Sequence, residues 1–370
     1  MTKYDLAVVG AGIIGLAHAY AAAKRGLSVV VIDRDAQANS ASIRNFGLVV
    51  VSGQEPGRAR AHAERTREIW VELAGQAGIE ILQRGKIVAA QRPEAMAVLE
   101  AYAHDTHSSD CELLTPAKTA ARAPGLETDN IVGGLFSPYE LRVESRQAIP
   151  KLAAMLAERY GVVFSRECAV QAVTPPIVET STGKIEAVKI VVCPGDDLST
   201  LFPERIAARS VQRCKLQMLR LANPGFRLQS ALVSDLSLLR YEGYAMLPEA
   251  EALRARLQAE CATALANGVH LIVTQSADGS LVVGDSHHYG HTPDPFGSQA
   301  VDDLILQEFR TLFGHLPAVE ARWVGTYASA PDHAYFIDEP HPDIRLVMIT
   351  SGTGASTGFS IGEETISALF

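Results

Sequence analysis

An α/β fold is predicted by three features of the 370-residue sequence. Residues 4–35 read as strand, tight glycine turn, helix and strand, the order of a Rossmann unit. Residues 214–267 and 269–285 carry alternating and β-branched runs, the pattern of an antiparallel sheet. Residues 344–349 form a last apolar strand that feeds a turn rich in glycine and hydroxyls and then a helix, which returns the chain to its first unit. The expected architecture is a Rossmann-type domain assembled from residues 1–80, 145–210 and 320–370. A discontinuous antiparallel-sheet domain, from residues 81–144 and 211–319, carries the substrate.

The first unit carries the most information. Residues 4–9 are apolar, and Gly10, Ala11, Gly12, Ile13, Ile14 and Gly15 follow. Gly10 permits the tight turn, Gly12 lets backbone approach a pyrophosphate, and Gly15 lets the helix pack close to the strand. The helix start presents free N–H groups to phosphates. Asp33 ends the second strand, where a carboxylate accepts ribose hydroxyls and repels a 2′-phosphate, although Arg34 adjoins it. NADP is disfavoured; NAD and FAD, which share an ADP half, both fit.

Composition bounds the remainder. A hydrophobic content of 47% in a chain of this length supports a large core and two intertwined domains. A formal charge of −9 and a pI near 5.7 argue against nucleic-acid binding. There is no apolar run long enough to span a membrane. Cys111, Cys168, Cys193, Cys214 and Cys261 show no C-x-x-C spacing, which points to reduced thiols in the cytoplasm.

Residues 39–47, with Ser42, Arg44, Asn45 and Phe46, form a polar loop directly after the second strand. It either lies over the cofactor, contacting pyrophosphate or a flavin ring, or is plain surface. Helices are expected over 59–78 and 93–104, a strand over 85–90, and a strand, turn and strand over 131–143. Ser145 is expected to cap a helix running to residue 160. The strand 185–192 runs into Cys193, Pro194 and Gly195 and then a short helix over 197–201, either a second loop reaching the dinucleotide or an ordinary turn. A helix is expected over 249–267, closed by Gly268. In the polar stretch 284–291, His287 and His288 are adjacent and would point to opposite sides of a strand, so no metal site is expected. One of these side chains either lines a substrate pocket or sits in a solvated turn.

Gly352, Gly354, Ala355, Ser356 and Thr357 precede a helix expected from about residue 359. A turn of this kind at a helix N-terminus stabilises negative charge. An NAD enzyme has no use for a second such site, whereas a reduced flavin gains negative charge on its pyrimidine side. Two rivals stand beside a flavoenzyme: an NAD-dependent dehydrogenase, and a non-catalytic dinucleotide module or RNA-modifying flavoprotein. The acidic balance opposes the RNA-modifying form, while a binding-only module would hold cofactor without flavin bleaching by any amine.

The glycine turn, the loop ending Arg44-Asn45-Phe46-Gly47, the Cys193-Pro194-Gly195 turn and the terminal S-G-T-G-A-S-T-G-F-S-I-G occur in the order seen in the D-amino-acid oxidase superfamily of FAD enzymes. The chain resembles its glycine and sarcosine oxidase branch over nearly its full length, and within it a subgroup associated with aminophosphonate breakdown. The resemblance implies a glutathione-reductase/D-amino-acid oxidase-like fold. It places the ADP half of FAD on Gly10, Gly12, Ile14 and Gly15, the ribose at Asp33 and Arg34, and the adenine near Val170. Ser42, Arg44, Asn45, Phe46, Cys193, Gly195 and the turn from Gly352 to Thr357 would contact the rest of FAD. Met218, His287, Tyr327, Ser356 and Thr357 would form the substrate wall.

The sequence also departs from the resemblance. No cysteine precedes Gly325-Thr326-Tyr327-Ala328, where sarcosine oxidases attach FAD, so FAD is expected to be non-covalent. Val282 and Ser356 stand where that branch has lysines that speed reaction with oxygen and hold a carboxylate, which counts against fast oxidase activity and a simple carboxylate substrate. The expected reaction is hydride transfer to flavin from the carbon next to nitrogen in a small anionic amine, with 2-aminoethylphosphonate or its N-methyl derivative favoured and glycine, sarcosine or a D-amino acid as alternatives. Arg44, His287 and Ser356 are the expected catalytic residues, and O2 or another acceptor the oxidant. The oligomeric state is not legible.

Overall fold

Lys3–Val9 lies in the middle of a sheet whose parallel strands run in the order Ile344–Ile349, Gly183–Val192, Lys3–Val9, Val29–Ile32 and Val163–Ser165. Tyr335–His341 adds an antiparallel edge beside Ile344–Ile349. These features belong to a computed structural model that describes residues 3–104 and 108–370. Parallel strands are covered on both faces, which is why Val29–Ile32 is an unbroken apolar run, buried throughout. The helix Ile13–Lys24 packs between this sheet and the C-terminal helix Gly354–Leu369. Its alanines keep the helices close, with Gly362 set against the backbone of Ala17.

The second sheet is mainly antiparallel. Its order is His288–Gly290, Gln212–Leu221, Leu281–Gly284, Ile272–Gln275, Ala231–Ser234, Ile81–Ala90, Gly133–Val143 and Leu48–Val49. Ala231–Ser234 and Ile81–Ala90 run parallel. Val319–Ser329 pairs along Gln212–Leu221. Thus Leu48–Val49 and Val319–Ser329 join the second sheet, although both lie mostly in segments expected with the first domain. The two sheets and their helices form the Rossmann-type α/β fold expected.

Several local expectations change. Gly133–Val143 is one strand rather than strand, turn and strand. Gly133 and Gly134 serve close packing instead of a turn, since a Cβ on Gly134 would lie 2.6 Å from the Val88 carbonyl oxygen. Ser145 begins its helix without capping it; its hydroxyl donates to Asn45 Oδ1 at 2.7 Å. Residues 197–201 are not helical: Asp197 Oδ1 accepts the backbone N–H groups of Ser199 and Thr200, forming a side-chain turn that competes with helix. The helix expected over 249–267 breaks at Cys261 into Ala250–Glu260 and Ala262–Ala266. The last helix begins at Gly354, before Phe359, so its first turn contains the glycine- and hydroxyl-rich residues themselves.

His18 sits inside the first helix with no exposed surface. Its Nδ1 donates to the Ile14 carbonyl at 2.7 Å, and burial pushes its pKa down to about 4. The unfolded chain protonates this ring below pH 6.5 while the folded chain resists until about 4, so stability falls as pH drops through that window. At pH 5 the loss from this residue should be about 2 kcal/mol. Denaturant unfolding at pH 7 and pH 5 should show a smaller acid loss for His18→Leu, by about that amount. An identical loss in both proteins would exclude His18 as its source.

Candidate active site

The two sheets meet around a cavity of about 930 Å³, near the upper end of the ~300–1,000 Å³ range of ligand pockets. One end is built by the first sheet. Gly12, Ile13, Ile14 and Gly15 line it at the start of the first helix, and Gly354 and Ala355 line it at the start of the last. Neither helix has an acid in its first turn, so both positive dipole ends face the cavity without compensation. Gly10 and Gly15 lie back to back: a Cβ on Gly15 would overlap the Gly10 carbonyl oxygen, and one on Gly10 the Cys193 carbonyl oxygen. That leaves backbone N–H groups and open space where a pyrophosphate fits.

Most expected contact residues reach this cavity. Gly12, Ile14, Gly15, Ser42, Arg44, Asn45, Phe46, Cys193, Gly195, Met218, His287, Tyr327, Gly352, Gly354, Ala355 and Ser356 line it. Gly10, Asp33, Arg34, Val170 and Thr357 are not on its wall. Asp33 Oδ2 accepts the Ala11 N–H at 2.6 Å and Oδ1 the Asp35 N–H at 2.8 Å, which ties the strand end to the turn. Arg34 pairs with Asp197 at 2.9 Å. Val170 is buried in a hairpin beside Thr180, and the Thr357 hydroxyl donates to the Thr353 carbonyl within its own helix.

The candidate catalytic residues Arg44 and Ser356, and the candidate cofactor residues Ser42 and Asn45, carry structural bonds as well. Arg44 donates to the Val324 carbonyl and to Asn39 Oδ1. Asn45 donates to the Ala41 carbonyl while its Oδ1 accepts from Gly47 and Ser145, so it knots the loop. Ser42 Oγ accepts the Ile13 N–H at 2.9 Å, and Ser356 Oγ accepts the Val50 N–H at 2.8 Å.

The opposite end belongs to the second sheet and includes residues that sequence reasoning did not assign to the site. Arg240, following a short 3-10 turn, donates to the hydroxyls of Tyr289 and Tyr327 at 2.7 and 3.0 Å. Burial raises the pKa of both tyrosines, so each keeps its proton. Asp285 lies between two histidines, with His270 Nε2 at 3.1 Å from Oδ1 and His287 Nε2 at 3.8 Å from Oδ2. Burial alone would raise the Asp285 pKa, but the His270 ring beside Oδ1 and the Arg240 guanidinium hold it below the ordinary carboxylate value. Burial pushes His287 down to about 3, so its ring is neutral. The three side chains have the donor types and spacing that could also hold a divalent cation.

A signal for His270 was available. The β-branched runs on either side of Ala277, Asp278 and Gly279 form a hairpin whose pairing continues until His270 and Asp285 exchange backbone hydrogen bonds. Arg240 had no such signal, because its 3-10 turn reaches the cavity only through the folding of the sheet.

The family model described as FAD dependent oxidoreductase (DAO) matches residues 5–368. Monomeric sarcosine oxidase of Bacillus sp. (strain NS-129) is 26% identical over 95% of this chain and 88% of its own length. The crystal structure of glycine oxidase from Bacillus cereus superposes with a TM-score of 0.80 at 18% identity, covering 99% of this chain and 95% of that one. L-alpha-glycerophosphate oxidase from Mycoplasma pneumoniae with FAD bound gives 0.77 at 16% identity, over 100% and 95%. The family match decides between the NAD and FAD that the glycine turn leaves open, and the glycine cradle and paired helix starts suit an FAD pyrophosphate and a reduced flavin. The chain belongs to the DAO family of FAD-dependent oxidoreductases, and its cofactor is FAD.

Proposed function

We propose that this protein oxidises a small amine bearing an anionic group, with 2-aminoethylphosphonate or its N-methyl derivative the favoured substrate. One observation carries the reading: Arg240 and two tyrosine hydroxyls on the cavity wall face the same space as Asp285. A guanidinium has five N–H donors, and Arg240 uses two on the tyrosines. The tyrosine oxygens accept those bonds and keep their own protons to donate. This donor set suits the three oxygens of a phosphonate better than the two of a carboxylate. Asp285 supplies the opposite charge for the amine.

FAD, when bound, accepts the hydride from the carbon next to nitrogen. The chain's own residues orient that carbon by holding the substrate at both ends, and the buried wall of Met218 and Phe46 keeps water from the reacting face. Water then hydrolyses the product imine to a carbonyl compound and a smaller amine or ammonia. In this reading the first sheet and its helices form the FAD domain, and the second sheet the substrate domain. FAD is held without a covalent bond: among the described residues Cys193 is the cysteine on the cavity wall, beside the glycine turn, and burial raises its thiol pKa well above the ordinary range. Five free cysteines suit a cytoplasmic protein, and no helix among the described residues is long and apolar enough to cross a membrane.

The sarcosine and glycine oxidases among the relatives keep small amino acids as the alternative substrates. Anaerobic titration watched by visible absorbance separates them. Flavin bleaching is expected with 2-aminoethylphosphonate or its N-methyl derivative; bleaching by glycine or sarcosine alone would reassign the substrate. Arg240→Ala should raise KM for the phosphonate about 100-fold, equivalent to about 3 kcal/mol, with FAD content unchanged. An unaltered KM would remove Arg240 from substrate recognition. Mixing the reduced enzyme with oxygen tests the acceptor, and slow reoxidation is expected.

A further inference from the structure

We infer that Asp285 and His287 form a two-acceptor cradle for the substrate's ammonium nitrogen, and that His287 takes its proton once the anionic end occupies Arg240. This inference rests on the amine-oxidation reading above. It begins with the His287 ring. Nδ1 lies 2.9 Å from the Gly268 carbonyl oxygen, which can only accept, so Nδ1 carries the proton. Gly268 adopts φ +59°, and a Cβ there would lie 2.7 Å from His287 Cβ; only glycine brings this carbonyl so near the ring. In the neutral ring Nε2 is therefore an acceptor, and it faces Asp285 Oδ2, a second acceptor, at 3.8 Å.

Two acceptors turned toward each other call for a donor between them. No N–H or O–H among the described residues donates to Asp285 in good alignment; His270 Nε2 makes a close contact with Oδ1. His270 is held in turn by Ser237 Oγ at 3.0 Å from its Nδ1, and both are positioning residues. Asp285 is only 5% exposed and Arg240 already favours its charge, so what Oδ2 still calls for is an N–H to complete its hydrogen bonding. A second metal-like cation is disfavoured by Arg240 on the same wall, whereas a substrate that brings an anion and an ammonium together satisfies both ends.

The proton step follows from the same charges. One N–H bond of the ammonium breaks, its electron pair stays on nitrogen as the lone pair, and the proton forms a bond to His287 Nε2. The imidazolium produced faces the Asp285 carboxylate, which stabilises it. Before substrate enters, Arg240 and burial both oppose that imidazolium. When the substrate's anion meets Arg240, the opposing field is cancelled, so the base strengthens only with the correct ligand in place. The other titratable groups facing the pair are Tyr241, Tyr289, Tyr327 and Cys214, with pKa values raised by burial, and His270.

The test compares the FAD-loaded protein with Asp285→Asn and His287→Gln. Perturbation of the flavin spectrum measures binding of 2-aminoethylphosphonate and of ethylphosphonate, which lacks the nitrogen. The intact protein should bind the aminated compound at least 10-fold tighter; Asp285→Asn should lose that preference while holding ethylphosphonate as before. In kcat/KM profiles His287→Gln should fall about 100-fold at pH 7 and recover toward pH 10, where solution supplies the free amine. Equal binding of the two phosphonates by the intact protein overturns the cradle, as does a stoichiometric divalent metal found by mass spectrometry. A His287→Gln deficit constant across pH overturns the proton transfer. Preferential binding without oxidation of any amine would uphold the cradle and sink the proposed reaction, so the two fail separately.

Discussion

Close backbone approach at one end of the first sheet is the constraint on which the rest of the structure depends. Gly15 rests on the Gly10 carbonyl, Gly10 on that of Cys193, and Asp33 bonds the Ala11 N–H. These contacts bring the ends of three strands together and aim the first helix into the cavity. The C-terminal helix packs on the first, so its N-terminus opens on the same space. Two dipole ends and a glycine turn then converge on the cavity, an arrangement that suits an anionic cofactor, without a lysine or arginine in either helix's first turn.

The second sheet supplies the opposite wall of the cavity and has its own anchor. Lys86 and Glu140, neither of them exposed, approach to 3.7 Å. Lys86 donates to the Ser52 carbonyl, and Glu140 accepts the Ser52 N–H. The Lys86 ammonium also lies over the rings of Tyr241 and Tyr244. Desolvation lowers the Lys86 pKa, and Glu140 opposes that shift. A buried pair of this kind adds little stability of its own, but removal of one partner costs about 3–5 kcal/mol. Its effect here is to fix the strand Ile81–Ala90 and the Tyr241 turn in one arrangement, and with them the position of Arg240.

The legible and illegible residues differ in kind. Gly12, Gly15, Ser42, Phe46 and Gly354 were readable because their roles are local: a turn, a loop after a strand, a helix start. Asp33 and Thr357 were read for local reasons too, and both also bond backbone within the fold, with acceptor capacity left over. Arg240 and His270 reach the cavity only through the pairing of strands far apart in the chain. Glycines misled once, at Gly133 and Gly134, where they serve close packing inside a strand rather than a turn. Side-chain competition misled at Asp197, which bonds the backbone that would otherwise have entered a helix.

By itself the sequence determined the Rossmann unit, the return of the C-terminal strand and helix, and the anion-binding character of both helix starts, since each is written in short-range spacing of glycine, β-branched and acidic residues. Only the tertiary structure decided the wall opposite. Arg240, the tyrosines, His270 and Asp285 lie on separate elements, and their mutual distances follow from sheet pairing across long loops. No local preference encodes such distances, because they arise from the burial of both sheet faces at once.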